Sequence, residues 1–173
     1  GARAWIKLYN GDCLEGMDSL IDEGVRVDAI ITDPPYGTTA CKWDSIIPFN
    51  DMWDRLKLLR YDTTPIVLFG SEPFSSALRM SNMKEYKYDW VWEKSKATGF
   101  LNAKKQPLRA AENIMIYYSK QVKYNPQMRL GESYNKGFRK QQSQDDVYGD
   151  FGQVEVKSDG GRYPRNVLYF KTA

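Results

Sequence analysis

The chain has 173 residues, a formal net charge of +3, 42 % hydrophobic and 27 % charged residues, which suits one soluble globular domain with a single real core. With no histidine, Ser-His and Cys-His nucleophilic schemes are excluded and a structural zinc site is disfavoured. Two cysteines make no disulfide framework and no apolar run reaches the roughly 20 residues of a membrane span, so a reducing cytoplasm without membrane attachment is expected.

Residues 5–9 alternate as a short strand, ended by Asn10 and Gly11. Asp12 is placed to cap a helix whose Leu14, Met17, Leu20 and Ile21 recur at helical spacing. Residues 27–32 form a nearly continuous, β-branched apolar run, the pattern of a strand buried on both faces with helices on each side. After a loop to about Pro48, Asn50 is expected to cap a helix carrying Met52, Trp53, Leu56 and Leu59. Residues 65–69 predict the next strand, 73–80 a helix, and 88–92, 113–118 and 167–170 further strands. This alternation predicts an open α/β, Rossmann-like sheet. Residues 121–162 are polar, rich in Gln, Asn, Gly and charge, and are expected to be an insertion, a loop or partly disordered. The predicted layout is therefore a main region over 1–120, the polar insertion, and a final strand within 163–173.

Asp33-Pro34-Pro35-Tyr36 directly follows the most strand-like run, where open α/β sheets place their ligands. Each proline drives its predecessor out of the α region, so Asp33 and Pro34 are held extended. The Pro34 carbonyl and the Asp33 carboxylate then offer two acceptors, and Tyr36 offers a flat ring. Together they suit a planar heterocycle bearing an NH₂ group. Accepting both amino hydrogens localises the nitrogen lone pair for in-line attack on an activated methyl group, with the ring stacked on Tyr36. The plain alternative is a proline-stiffened strand exit.

Asn10-Gly11-Asp12-Cys13-Leu14-Glu15, the tetrapeptide with its flanking Thr32 and Gly37, Val67-Leu68-Phe69-Gly70-Ser71-Glu72-Pro73-Phe74, and Trp90-Val91-Trp92-Glu93-Lys94 occur in this order. In these motifs the chain resembles the amino-methyltransferases of DNA, the N4-cytosine/N6-adenine group, in its phage and prophage types. The resemblance covers roughly the first two thirds. It implies an S-adenosylmethionine-dependent methyltransferase fold, a flipped target base in double-stranded DNA, a base pocket at Asp33, Pro34, Pro35 and Tyr36, and Asp12 and Cys13 beside the cofactor's adenine. Asp at the head of the tetrapeptide resembles the adenine-specific members more than the cytosine-specific ones. The group's glycine-rich cofactor loop is not matched: Gly160-Gly161 follows no apolar strand. The expectation is a catalytic half, with the remaining cofactor segment lying C-terminal in the same protein or on another chain. A homodimer is left open.

Between Glu93 and Glu112 the chain carries Lys94, Lys96, Lys104, Lys105 and Arg109 and no acid. Such a basic stretch suits phosphate contacts, or simply a solvated loop. The competing functions are a non-catalytic DNA-binding remnant that kept the base pocket, N4-cytosine methylation, and methylation of a protein amide. Asp rather than Asn at position 33 argues against the last.

Overall fold

The computed structural model describes residues 6–42, 44–140 and 153–171. The chain divides into two compact units, Gly1–Lys123 with Asn166–Ala173, and Tyr124–Arg165.

The first unit holds helices α1 (Cys13–Asp22), α2 (Phe49–Leu58) and α3 (Phe74–Ser81) and strands β1 (Ile30–Thr32), β2 (Ile66–Gly70), β3 (Tyr86–Thr98) and β4 (Arg109–Tyr117). The second holds β5 (Arg129–Leu130), β6 (Tyr134–Lys140), β7 (Gln153–Ser158) and β8 (Gly161–Arg162), and the chain returns to the first for β9 (Val167–Phe170).

Five strands form one sheet in the order β1-β2-β4-β3-β9. β1 and β2 pair parallel, as do β3 and β9, while β4 runs antiparallel between β2 and β3. Four of the five strands therefore share a direction, and the expected α/β, Rossmann-like sheet is present. Its core is made by β2 and β4, where Ile66, Leu68, Met115 and Tyr117 are fully buried. Met52, Trp53, Leu56, Phe74 and Leu78 of α2 and α3 close over this face, and Met17 of α1 packs at its margin. The opposite face is smaller, with Ile116, Tyr118 and Val122 buried against Val67, Tyr88 and Trp90.

Several expectations are corrected. Residues 27–32 are not a strand buried on both faces: β1 has three residues, and Ile31 is 68 % exposed. Its apolarity misled because the described helices all pack on the other face, while β1 has a described partner along one edge only. Residues 6–9 lie in no strand, and Ile6 and Leu8 are 85 % and 90 % exposed. Trp5 lies outside the described residues. Asn50 does not cap α2, because Pro48 stands at the cap and Asn50 falls within the first turn. Residues 94–98, expected as loop, continue β3.

The described part of 121–162 is irregular over residues 121–128 but ordered into strands beyond them. β5 pairs with β8 and β6 with β7, both antiparallel, so residues 129–140 and 153–162 make a two-stranded ribbon. Gly160 sits at φ +105° where the ribbon kinks, and a Cβ there would lie 2.5 Å from the Gly131 carbonyl oxygen. Only glycine fits both constraints. That backbone need, not cofactor binding, accounts for glycine at position 160.

Candidate active site

The ladder of β1 ends at Thr32, paired with Leu68, so Asp33 is the first residue beyond the sheet. The carboxyl ends of β1, β2 and β3 and the amino end of β4 form a single rim, because β4 alone is reversed. Pro34 is buried beneath that rim, while Asp33 is exposed.

Tyr36 Oη donates to Asp33 Oδ1 at 2.6 Å, across three residues that the two prolines hold extended. The Tyr36 ring stacks on Phe74 of α3, with centroids 5.1 Å apart and planes at 24°. Burial pushes the Tyr36 phenol well above its ordinary value, and the hydrogen bond and charge of Asp33 add to the shift, with Glu112 contributing at longer range. The phenol thus stays a neutral donor at any working pH, and it holds the carboxylate in one orientation. One Asp33 oxygen is occupied in this way; the other is not used by that bond.

The segment that follows is also built rather than loose. Gly37 has φ +68°, and a Cβ there would meet Ile46 Cγ1 at 2.9 Å. Past this turn the backbone N–H groups of Gly37, Thr38 and Thr39 converge on the Asp44 carboxylate at 2.9, 2.9 and 2.6 Å. Asp44 is 9 % exposed. The Thr39 hydroxyl and these amides hold its carboxyl down to about 2, so it is ionised throughout the useful pH range.

The tetrapeptide is a wall between two cavities. On one side an open cleft of about 350 Å³ is lined by Asp33, Pro34, Pro35, Tyr36, Thr38, Thr39 and Asp44. On the other a cavity of about 330 Å³ shares Asp33, Pro34 and Pro35 and is otherwise lined mainly by apolar side chains, among them Met17, Ile30, Ile47, Met52 and Leu56, together with Cys13.

Thus Cys13 meets the tetrapeptide, at the first turn of α1. Asp12 instead caps that helix, its Oδ1 accepting from the N–H groups of Leu14 and Glu15 at 2.8 and 3.3 Å. Lys94 is not a free cation: it pairs with Glu112 across β3 and β4, with both side chains largely buried, and its Nζ lies 5.7 Å from the Trp92 ring centroid. Lys96 lies on β3 and is exposed. Lys104 and Lys105 are exposed on the connection from β3 to β4, just past the short 3-10 turn Phe100–Asn102, and Arg109 is exposed at the start of β4. Phe100 and Leu101 on that turn are exposed as well. Sequence reasoning missed Phe74 as the support of Tyr36 and Asp44 as the anchor of the loop. An isolated acid seven residues past a glycine that ends a proline-stiffened exit was the available signal for Asp44.

Among the described residues, no group of three His, Cys, Asp or Glu side chains could hold a metal ion, and no helix is long and apolar enough to cross a membrane.

No protein-family model matches the sequence, and no curated protein matches it. Solved structures do. The chain superposes on a crystal structure of M1.HpyAVI with a TM-score of 0.51 and 22 % identity, covering 67 % of this chain and 56 % of that one. It superposes on the M1.HpyAVI–SAM complex with a TM-score of 0.52 and 19 % identity, covering 81 % of this chain and 62 % of that one. The fold is shared with these proteins. The chain spans about three fifths of their length.

Proposed function

We propose that this chain is the base-binding part of an S-adenosylmethionine-dependent DNA methyltransferase acting on an exocyclic amino group, adenine N6 by preference. The observation that carries the proposal is the position of Asp33, Pro34 and Pro35 as a wall between an open polar cleft and an apolar cavity. A transfer between two bound molecules needs such a shared wall, with acceptors at the point where they meet.

In this reading the cleft takes the flipped base. The Asp33 oxygen not bonded to Tyr36 and the Pro34 carbonyl accept the two amino hydrogens, and Tyr36 keeps the carboxylate in register through its 2.6 Å bond. Phe74 covers one face of the Tyr36 ring, so a base entering the cleft would stack on the other. S-adenosylmethionine, when bound, supplies an electrophilic methyl group on a positively charged sulfur. The apolar cavity beside Cys13, Met17, Ile30 and Leu56 suits its adenine ring. While the cofactor donates that methyl group and keeps the electron pair of the sulfur–carbon bond, Asp33 and the Pro34 carbonyl would hold the amino nitrogen and stabilise the positive charge developing there until its proton left to solvent.

The partner is double-stranded DNA in the cytoplasm. Lys104 and Lys105 on the β3–β4 connection and Arg109 at the start of β4 are solvent-facing and would contact phosphates. The ribbon made by residues 129–140 and 153–162 would read sequence. A two-stranded ribbon fits the major groove, and Lys136 and Arg162 flank the Tyr134 ring at 4.9 and 4.8 Å.

The test uses the full-length protein, duplex DNA and methyl-labelled cofactor, with nucleosides analysed by mass spectrometry. N6-methyladenine is the expected product. N4-methylcytosine would keep the chemistry and change the base; a folded, full-length protein that methylates no base would remove the proposal in favour of a DNA-binding remnant.

A further inference from the structure

Asp44 lies eight residues beyond the tetrapeptide's end and touches neither Asp33 nor Tyr36 by any hydrogen bond described. Its carboxylate nevertheless holds the part of the cleft that the tetrapeptide does not supply. Three successive backbone N–H groups point at it, from Gly37, Thr38 and Thr39. The Thr39 hydroxyl also bonds it, and accepts in turn from the Cys41 N–H at 3.4 Å. The Asp44 N–H closes the turn on the Cys41 carbonyl at 3.0 Å. A run of amides around one anion fixes a backbone path that those residues would not choose alone. Gly37 completes it, since its positive φ and the nearby Ile46 side chain exclude any larger residue.

Thr38 and Thr39 line the same cleft as Asp33 and Pro34. A loop that closed only on binding would have to order several residues at each encounter, at a cost to affinity. Here the Asp44 carboxylate already holds the Gly37, Thr38 and Thr39 amides in place, and it belongs to the chain itself.

We infer that Asp44 is a positioning residue, which pre-forms the wall of the base cleft through the Gly37, Thr38 and Thr39 amides and so sets how tightly the extruded base is held. The inference rests on the methyltransferase reading above. It assigns Asp44 to base capture and not to the transfer step. Replacing the carboxylate by an amide keeps its shape but removes the charge and turns an NH₂ donor toward one side of the ring of backbone donors, so the anchor is weakened.

The experiment compares wild-type full-length protein with Asp44→Asn, Gly37→Ala, their double mutant and Thr39→Val. Two readouts are taken: steady-state methylation of duplex DNA, and fluorescence of 2-aminopurine placed at the target adenine, which brightens when the base leaves the stack. Losing the charge behind three hydrogen bonds, and the acceptor for at least one of them, should raise KM for DNA at least about tenfold in Asp44→Asn, with kcat changed less than about threefold and the fluorescence gain reduced. Gly37→Ala should do the same, and the double mutant should be no worse than the poorer single one, because both act on one loop. Should Asp44→Asn fail to fold, Thr39→Val decides alone: losing one of the bonds should raise KM about two- to tenfold.

Wild-type KM and fluorescence in a folded Asp44→Asn, a loss confined to kcat, or additive effects in the double mutant would each overturn the assignment and leave the methyltransferase standing. An unchanged KM in Thr39→Val would do the same where that variant decides. A wild-type protein that methylates no DNA would overturn the functional reading, and this inference with it.

Discussion

The five-stranded sheet and the two-stranded ribbon are held together by different forces. In the sheet, Ile66, Leu68, Met115 and Tyr117 are fully buried, and buried apolar area is the main stabilising term. In the ribbon, the one buried residue among those described is Gly160, which has no side chain to bury. Leu130 there is 98 % exposed, and Phe138 and Tyr163 are 67 % and 75 % exposed. An isolated two-stranded hairpin is marginal in water. The ribbon relies on its ladder, on the bond from Arg162 to the Glu132 carbonyl at 2.5 Å and on the cations beside Tyr134. The lesson is that the proposed catalytic wall stands on a buried core, whereas the proposed reading element keeps its aromatic and apolar side chains available to a partner.

Five outcomes would sharpen or break that contrast, the largest effect first. Asp33→Ala should lower kcat by at least 10²–10³-fold, on the order of losing one positioned group at a reacting centre, while cofactor affinity by calorimetry stays within about threefold. Equal loss of both would mean Asp33 serves the cofactor instead. Leu68→Ala should cost about 2–5 kcal/mol in urea unfolding, against no more than about 0.5 kcal/mol for Leu130→Ala; comparable costs would show that the ribbon has a core of its own. Replacing residues 129–162 with a short Gly-Ser linker should abolish discrimination between target and random duplexes in binding assays. The unfolding midpoint of the sheet should barely move.

The fourth outcome concerns charge. Lys104→Ala with Lys105→Ala should reduce the slope of log K for DNA against log salt by up to about 0.9 per cation that touches a phosphate. An unchanged slope would make the β3–β4 connection a solvated surface. Last, Asp44 has a folded-state value depressed to about 2 from 3.8. Its contribution to stability is therefore complete above pH 4 and is lost as pH falls through 2. Stability curves from pH 5 to 2 should lose part of their acid slope in Asp44→Asn, and identical slopes would show that Asp44 does not couple to folding.

How far the site was legible depends on whether the signal was local. Asp12 as a helix cap, the strand at residues 66–70 and the exit at Asp33 each follow from a few neighbouring residues, and each stands in the structure. The ion pair of Lys94 was not legible because its partner, Glu112, is 18 residues away along the chain and becomes a neighbour only when β3 and β4 pair. The ribbon was missed for a similar reason. Only β7 alternates, with Val154 and Val156 between polar neighbours over a few residues, too short a signal by itself, and the pairing of Arg129 with Arg162 spans a long stretch of sequence.

By itself the sequence determined the α/β class, the helix start at Asp12 and the stiff acceptor-bearing exit at Asp33, Pro34 and Pro35. Apolar spacing, capping chemistry and the fixed φ of proline act over a few residues and need no knowledge of the rest. The tertiary structure alone decided that β1 has a described partner along one edge only, with Ile31 exposed, that Phe74 braces Tyr36, and that the tetrapeptide separates a polar cleft from an apolar cavity. Those facts depend on which element packs against which, and burial and cavity shape exist only once distant segments have met.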